Sequence, residues 1–434
     1  MLLNELYQKL MPYQKAKRWI IGLSGGMDST VLLHLLVELK KQYPLPTLSA
    51  IHIHHGLQTI ADHWPDHCQS ICDQLNIPLT IVKVTITQQA SIEQAARDAR
   101  YTAFANQLQT GDILITAQHK NDQAETLLFR LFRGAGVKGL MSMPNQRPLG
   151  QGTLIRPLLN IPYDTLRHYA ESNQLCWIED PSNQDTHYAR NYLRHQIFPK
   201  IIDYWPQAIH NIVQTSEHMQ EAQKLLNELA QQDLLEAQTP PLYHWLSVPS
   251  LLVAPLKNLS TARQKNALSF WLSNYTLQPS TQHWHGWFDL INAKETATPI
   301  WQLHNAEIHR GNHRIWLLKN DWLTKPSSVH LPIETAKEIC LPNNGLAKLS
   351  GKLPQGSFYI TYRQGGESIS LIRGTRDLKK LFNEETIPNF LRQRLPLLID
   401  QQGNLVAVAN HPQWFNKNYS KDFTFEWIAP HFSS

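Results

Sequence analysis

The first half of the chain alternates short apolar runs with amphipathic stretches, and nothing else in the sequence narrows the available folds so far. Arg18 to Leu23 reads as a strand and Ser29 to Lys40 as a helix. Leu48 to His54 is the next strand, followed by a helix from about Trp64 to Leu75. Leu79 to Val84 and Ile113 to Thr116 are further strands, each followed by a helix, Ile92 to Gln107 and Asp122 to Arg133. Strands separated by helical crossovers pair in parallel. The expectation is an α/β fold built on a doubly wound, mainly parallel sheet. Ligands of such sheets bind beyond the carboxyl ends of the strands. Ser24, His54 and Gln118 each follow a strand, so they should converge there.

Helical periodicity resumes from Ala208 to Gln238 and stops at Pro240-Pro241. Thr261 to Tyr275 and His283 to Ala293 make the middle region mostly helical. Trp301 to Leu318 reads as a hairpin turning at Gly311-Asn312, and residues 321 to 350 as a linker. From Ser357 the pattern is mixed. FYITYR is strand-like, a basic helix lies near Leu378 to Phe382, and PLLIDQQGNLVAVAN reads as a hairpin. At about 150 residues per domain, 434 residues suggest roughly three. The boundaries fall at 1–210 for the parallel-sheet domain, 211–325 for the helical middle and 350–434 for a small mixed α/β domain.

Hydrophobic content of 42% and charged content of 17% fit a folded chain with sizeable cores. No stretch approaches about 20 uncharged apolar residues, so no membrane span is expected. The N-terminus interrupts its apolar residues with Glu5, Lys9, Lys15 and Lys17, unlike a signal peptide. The four cysteines, Cys68, Cys72, Cys176 and Cys340, form no CxxC pair and no disulfide framework. A cytoplasmic location is expected. A net charge of +5 is compatible with a nucleic-acid partner and does not require one.

Between the opening strand and helix stands Ser24-Gly25-Gly26-Met27-Asp28-Ser29. It lacks the lysine of GxxxxGK[ST] and does not match GxGxxG. Gly25 and Gly26 let backbone N–H groups approach an anion closely, and the two serines add hydroxyl donors. The helix adds its positive dipole end. Asp28 would repel bare phosphate, so its presence makes sense if a magnesium ion (Mg2+) bridges it to phosphates. SGGMDS resembles the SGGxDS loop of the ATP pyrophosphatase (PP-loop) superfamily. Its members split ATP between the α- and β-phosphates, adenylate a carbonyl oxygen and let a nucleophile displace AMP. Asparagine, GMP and NAD synthetases and RNA thiolases share the loop.

Four further stretches follow in order: HIHHGL (His52 to Leu57), EQAARDARY (Glu93 to Tyr101), TAQHKNDQAETLLFRLFRGAG (Thr116 to Gly136) and EDPSNQDTHYARNYLRHQIFP (Glu179 to Pro199). With the loop they resemble the tRNA(Ile)-lysidine synthetase family. LKKLFNEETIPNFLRQRLPLL (Leu378 to Leu398) resembles that family's C-terminal tRNA-binding domain. The resemblance implies a ligase that uses ATP and magnesium to attach L-lysine to the wobble cytidine of the isoleucine tRNA with a CAU anticodon. It implies that Ser24, Gly25, Gly26, Met27, Asp28 and Ser29 hold the nucleotide, with Asp28 on the metal. His54, with His55 and Gly56, would line the adenosine side. Arg100 would meet the α-phosphate or the cytidine, and Asp122 and Glu125 would hold lysine or position magnesium. Asp28 is the candidate for taking the amine's proton. Where the family often carries two adjacent histidines, this chain has Gln118 then His119, so no imidazole is available at position 118.

Bland readings stand beside these. Arg97 and Arg100 fit a solvated helix face, and Asp122 and Glu125 fit helix-start capping. His52, His54, His55, His63, His67, Cys68 and Cys72 invite a zinc reading but form no compact tetrahedral set. Buried helix cysteines are the alternative. Arg190 and Arg194, four apart, either face tRNA phosphate or pair with Asp180 or Asp185. In the C-terminal region Arg373, Lys379, Lys380 and Arg392 belong to a local basic excess suited to RNA backbone. Two rival functions remain: a tRNA sulfur transferase on the same loop, and a non-catalytic tRNA-binding protein that senses ATP.

Overall fold

A computed structural model of the chain describes residues 2–56, 62–85, 92–240, 243–294, 297–327, 337–353 and 356–432. Within them the chain divides into two compact units, Met1–Lys224 and Leu225–Ser434. None of the described helices is long and apolar enough to cross a membrane.

The first unit opens with α1 (Leu2–Leu10), then β1 (Arg18–Gly22), α2 (Met27–Gln42), β2 (Thr47–His54), α3 (Trp64–Gln74), β3 (Leu79–Lys83), α4 (Ile92–Gln107), β4 (Asp112–Ile115) and α5 (Lys120–Leu131). There follow α6 (Val137–Leu140), β5 (Gln146–Leu149), β6 (Gly152–Ile155), α7 (Tyr163–Ser172), α8 (Ala189–Tyr192), a π turn at Leu193–Ile197, α9 (Phe198–Tyr204) and α10 (Ala208–Leu235). The six strands lie in the order β3-β2-β1-β4-β6-β5. All neighbours are parallel except the β5–β6 pair. Both faces of β1 are buried, as a doubly wound sheet demands. Trp19, Ile21 and Leu23 join α1, α2 and α3 in one core. Ile20, between them, packs with Ala103, Phe104 and Leu108 on the other side. The β5–β6 hairpin adds a lip that the sequence reading did not contain.

The division between units falls inside α10. In the second unit α11 (Val253–Lys257), α12 (Thr261–Leu272) and α13 (His283–Asn292) accompany a four-stranded antiparallel sheet. Its strands are β7 (Ser250–Leu252), β8 (Ile300–Gln302), β9 (Ala306–Gly311) and β10 (Arg314–Lys319). The expected hairpin exists, but Gly311 pairs with Arg314, so the turn residues are Asn312 and His313. Both have positive φ, 53° and 58°, which suits a tight primed turn. β10 separates two cores by simple alternation. Ile315 and Leu317 face the helices, and Trp316 and Leu318 face the C-terminal core.

The expected linker is corrected. β11 (Glu338–Cys340) and β12 (Leu346–Gly351) form a sheet with the distant β18 (Phe423–Ile428); residues 328–336 lie outside the described residues. β13 (Tyr359–Thr361) pairs with β16 (Leu397–Ile399), which pairs with β17 (Leu405–Val408). β14 (Ser368–Leu371) and β15 (Gly374–Asp377) form a ribbon leading into α14 (Leu378–Glu384) and α15 (Asn389–Arg392). Phe382 is buried in this core and Phe390 packs against it.

Candidate active site

The SGGMDS turn is fixed before any ligand arrives. Gly25 has a φ of +88° and its carbonyl accepts a hydrogen bond from Ile178 N at 2.9 Å. α2 starts at Met27 with Gly26 as N-cap, two residues before the sequence reading placed it. Asp28 and Ser29 therefore sit in its first turn. The Ser29 hydroxyl donates to Gly26 O at 3.0 Å, and Ser24 N donates to Ser29 Oγ at 3.2 Å. Thus the serines brace the turn, while Met27 points into the core. A Cβ on Gly25 would lie 3.1 Å from Ile178 Cδ1 and 3.2 Å from Cys68 Sγ. Gly25→Ala combines that crowding with a backbone angle alanine avoids. If the turn holds phosphate as the sequence resemblance implies, any nucleotide cleavage it supports should fall at least about a hundredfold, the scale of losing one aligned anion donor. A steady-state pyrophosphate assay measures it.

A cleft of about 510 Å³ opens beyond the strand ends, and Ser24, His54 and Gln118 all line it. Thr116 Oγ1 donates to Gln118 Oε1 at 2.6 Å, which fixes the amide where a histidine was absent. Arg100 also lines the cleft, its Nε donating to His55 Nε2 at 3.3 Å. Burial lowers the Arg100 pKa, and Arg97 and Arg190 lower it further against the pull of Tyr101. Burial and the Arg100 charge bring His55 down to about 4, so it is a neutral acceptor. His54 Nε2 stands 3.2 Å from Asp62 Oδ1.

Asp28, Asp122 and Glu125 form one acidic cluster around His119 and Arg194. His119, whose ring is buried, places Nε2 3.6 Å from Asp28 Oδ2 and 3.5 Å from Asp122 Oδ2. Asp122 also accepts from His119 N at 3.0 Å, so its capping role and its place in the cluster coexist. Arg194 clamps Glu125 with Nε at 2.7 Å from Oε1 and Nη2 at 2.9 Å from Oε2, and reaches Asp122 at 3.2 Å. Burial raises the Asp28 carboxyl pKa, and Asp122 and Glu125 add to the rise against His119 and Arg194. Burial likewise raises Glu125, with Arg194 opposing. Asp28 Oδ1 is buried without a hydrogen-bond partner.

The two arginines of the fourth stretch part company. Arg190 lines the cleft and donates to Thr126 Oγ1 at 3.3 Å. Arg194 pairs with Asp122 and Glu125, not with Asp180 or Asp185 as the structural alternative had it. The π turn beginning at Leu193 shifts the helical phase between them. Asp180 instead caps its turn by accepting from Ser182 N at 2.8 Å. Tyr188, which the sequence reading passed over, also lines the cleft. Its signal was an aromatic inside the fourth stretch.

The zinc reading finds no support in the geometry: among the described residues no three His, Cys, Asp or Glu side chains are grouped to hold a metal. Burial pushes the Cys68 thiol up to about 12 and Cys72 up to about 11, as for ordinary core cysteines. In the second unit Arg373, Lys379 and Lys380 are exposed. Arg392 is half-buried, and its guanidinium donates to Ile387 O and Asn383 Oδ1, both at 2.7 Å. It closes the end of α14, and an RNA contact would have to compete with those bonds.

Residues 2–201 match the family described as PP-loop domain, 251–316 the TilS substrate binding domain and 358–424 the TilS substrate C-terminal domain. The tRNA(Ile)-lysidine synthase of Pseudomonas fluorescens is 51% identical over 94% of this chain and 92% of its own. That of Legionella pneumophila is 37% identical over 93% of this chain and 94% of its own. Among solved structures, the tRNA thiolase NcsA from Methanococcus maripaludis aligns with a TM-score of 0.43 at 22% identity, covering 50% of this chain and 78% of that one. Such a loose alignment carries no argument about chemistry, whereas the matches to the two named synthases each cover more than nine-tenths of both chains. The chain belongs to the tRNA(Ile)-lysidine synthase family.

Proposed function

We propose that this chain is an ATP-dependent carbon–nitrogen ligase that adenylates the wobble cytidine of the CAU-anticodon isoleucine tRNA and attaches L-lysine to it. The products are lysidine, AMP and pyrophosphate. The observation that carries the reading is the meeting of the SGGMDS turn with the Asp28–His119–Asp122 cluster in one cleft, in a chain so similar to named lysidine synthases.

The turn's N–H groups and the start of α2 hold the pyrophosphate end of ATP. Asp28 fits a divalent cation: its free buried oxygen and raised pKa are both relieved by a positive ion. A magnesium ion held by Asp28 would supply positive charge against the outer phosphates. Arg100 faces the α-phosphate, where negative charge grows. Asp122 and Glu125 already hold a side-chain cation, Arg194, and the same chemistry suits a lysine ammonium. Cytosine's ring carbonyl carbon becomes electrophilic once its oxygen carries AMP. The neutral lysine amine attacks it, a C–N bond forms, the C–O bond to AMP breaks, and the amine loses a proton. We assign that proton to the Asp28–His119 pair, since metal binding would leave Asp28 alone a weaker base. Arg190 and the exposed Arg373, Lys379 and Lys380 contact tRNA backbone in this reading.

The test is incubation of the CAU isoleucine tRNA transcript with ATP and labelled lysine. Label in the RNA is expected, and its absence from well-folded protein would refute the assignment. A thiolase reading is separated by the cysteines. Cys68 and Cys72 are buried, while Cys176 and Cys340 are exposed and lie in different units. Replacing all four should leave lysine transfer within about threefold, with a stability loss of roughly 1 kcal/mol per buried site. The labelling assay and a melting curve check both halves.

A further inference from the structure

Beside the cleft, three arginines gather on one phenol. Arg97 lies one helical turn before Tyr101 on α4, with its guanidinium carbon 5.5 Å from the Tyr101 ring centre. Arg147, from β5, lies over the same ring at 4.7 Å. Arg156, just past β6, donates from Nη2 to Tyr101 Oη at 3.3 Å and from Nη1 to Pro144 O at 2.9 Å. Arg156 is buried, whereas Arg97 and Arg147 keep part of their surface in solvent. Tyr101 itself lines the cleft. Among the described residues no carboxylate lies within ion-pair reach of any of the three.

Three like charges packed together repel one another, and cation–π contact offsets only about 0.5–2 kcal/mol each. Burial pushes the Tyr101 phenol pKa up, yet Arg156, Arg97 and Arg147 together hold it below its usual value. Arg156 is lowered by burial first and then by Arg147 and Arg97, with Tyr101 opposing. Such an arrangement is stable enough to fold and is incomplete without an anion.

We propose that Arg97 and Arg147, stacked on Tyr101 and propped from beneath by Arg156, form a second grip for the substrate RNA, taking two backbone phosphates next to the nucleotide that enters the cleft. The inference rests on the ligase reading. Tyr101 and Arg156 are positioning residues in it, and the partner is a polyanionic strand. Planar guanidinium groups on an aromatic post suit phosphate oxygens better than flexible ammonium groups would. The site lies on the α4 and β5 side of the cleft.

The experiment is lysine transfer by the full chain, with tRNA and ATP varied separately at several salt concentrations. Arg97→Gln with Arg147→Gln should raise the KM for tRNA about tenfold, leave the KM for ATP within about twofold, and reduce the log–log salt slope of tRNA binding by about 1.4. Arg97→Lys with Arg147→Lys should recover most of the salt slope, which a purely structural stacking role would not. An unchanged tRNA KM and slope in the glutamine pair would overturn the proposal. So would a rise confined to the ATP KM, which would make the partner the nucleotide's phosphates. A parent chain with no lysine transfer at all would instead indict the ligase reading.

Discussion

Asp28→Asn should abolish pyrophosphate release, by at least about a thousandfold, while leaving the chain folded. The carboxylate stands in the first turn of α2, partly exposed, with one buried oxygen unpartnered; burial raises its pKa, and two nearby carboxylates add to the rise. Oδ2 already meets His119, so the free Oδ1 is the atom that a cation brought with the nucleotide would take in the proposed function. The stability sign follows from the same facts. A carboxyl whose folded pKa is raised disfavours folding once it ionises. That penalty is absent below its unfolded value of 3.8 and grows as pH climbs through the raised value. Asparagine removes it, so the variant should melt at the same temperature as the parent or higher at neutral pH, and the difference should vanish in acid. Activity surviving the change, or lost only because the chain unfolds, would contradict this placement.

Arg194→Met should both inactivate and destabilise. The Glu125 side chain is 4% exposed and holds Arg194 by two hydrogen bonds. Breaking a fully buried pair from one side costs about 3–5 kcal/mol. Here the arginine side chain is 40% exposed, so about 2–3 kcal/mol is expected after solvent screening. Glu125, already raised by burial, rises further without its partner. The deficit is therefore greatest at neutral pH and shrinks on acidification, as the carboxyl takes a proton. Adding Glu125→Gln should restore most of the stability but not the activity, because Arg194, still missing, lines the cleft beside Asp122. Denaturant unfolding of the single and double variants measures the cycle. Equal stability of parent and Arg194→Met would show that the clamp is not formed.

The legible parts of this molecule are those whose physics is local. β1, the glycine turn and α2 announce themselves through a period of burial, two glycines and a helix start within a dozen residues. Their position in a parallel sheet then follows from the crossovers, and with it the convergence of Ser24, His54 and Gln118. The partner of Arg194 was not legible. It lies 69 residues back on α5, and the π turn changes which way the side chain leaves the helix. β5 hid because Pro148 sits inside it, a residue tolerated there only because β5 is the edge of the sheet. β11 and β12 looked like a linker because each is short, and the strand that completes their sheet, β18, lies more than 70 residues further on. His119 could be seen in the sequence, but its position between two carboxylates depends on bringing α2 and α5 together.

The central claim is that the glycine turn and Asp28 hold the outer phosphates so that the inner phosphorus reacts with the pyrimidine oxygen. The direct measurement follows ATP labelled at the α-phosphate, alongside labelled lysine, in the presence of the CAU isoleucine tRNA. The account predicts one AMP and one pyrophosphate for each lysine joined to RNA, with none formed when the wobble cytidine is replaced by uridine. ADP as the nucleotide product, or AMP released without regard to that cytidine, would contradict it.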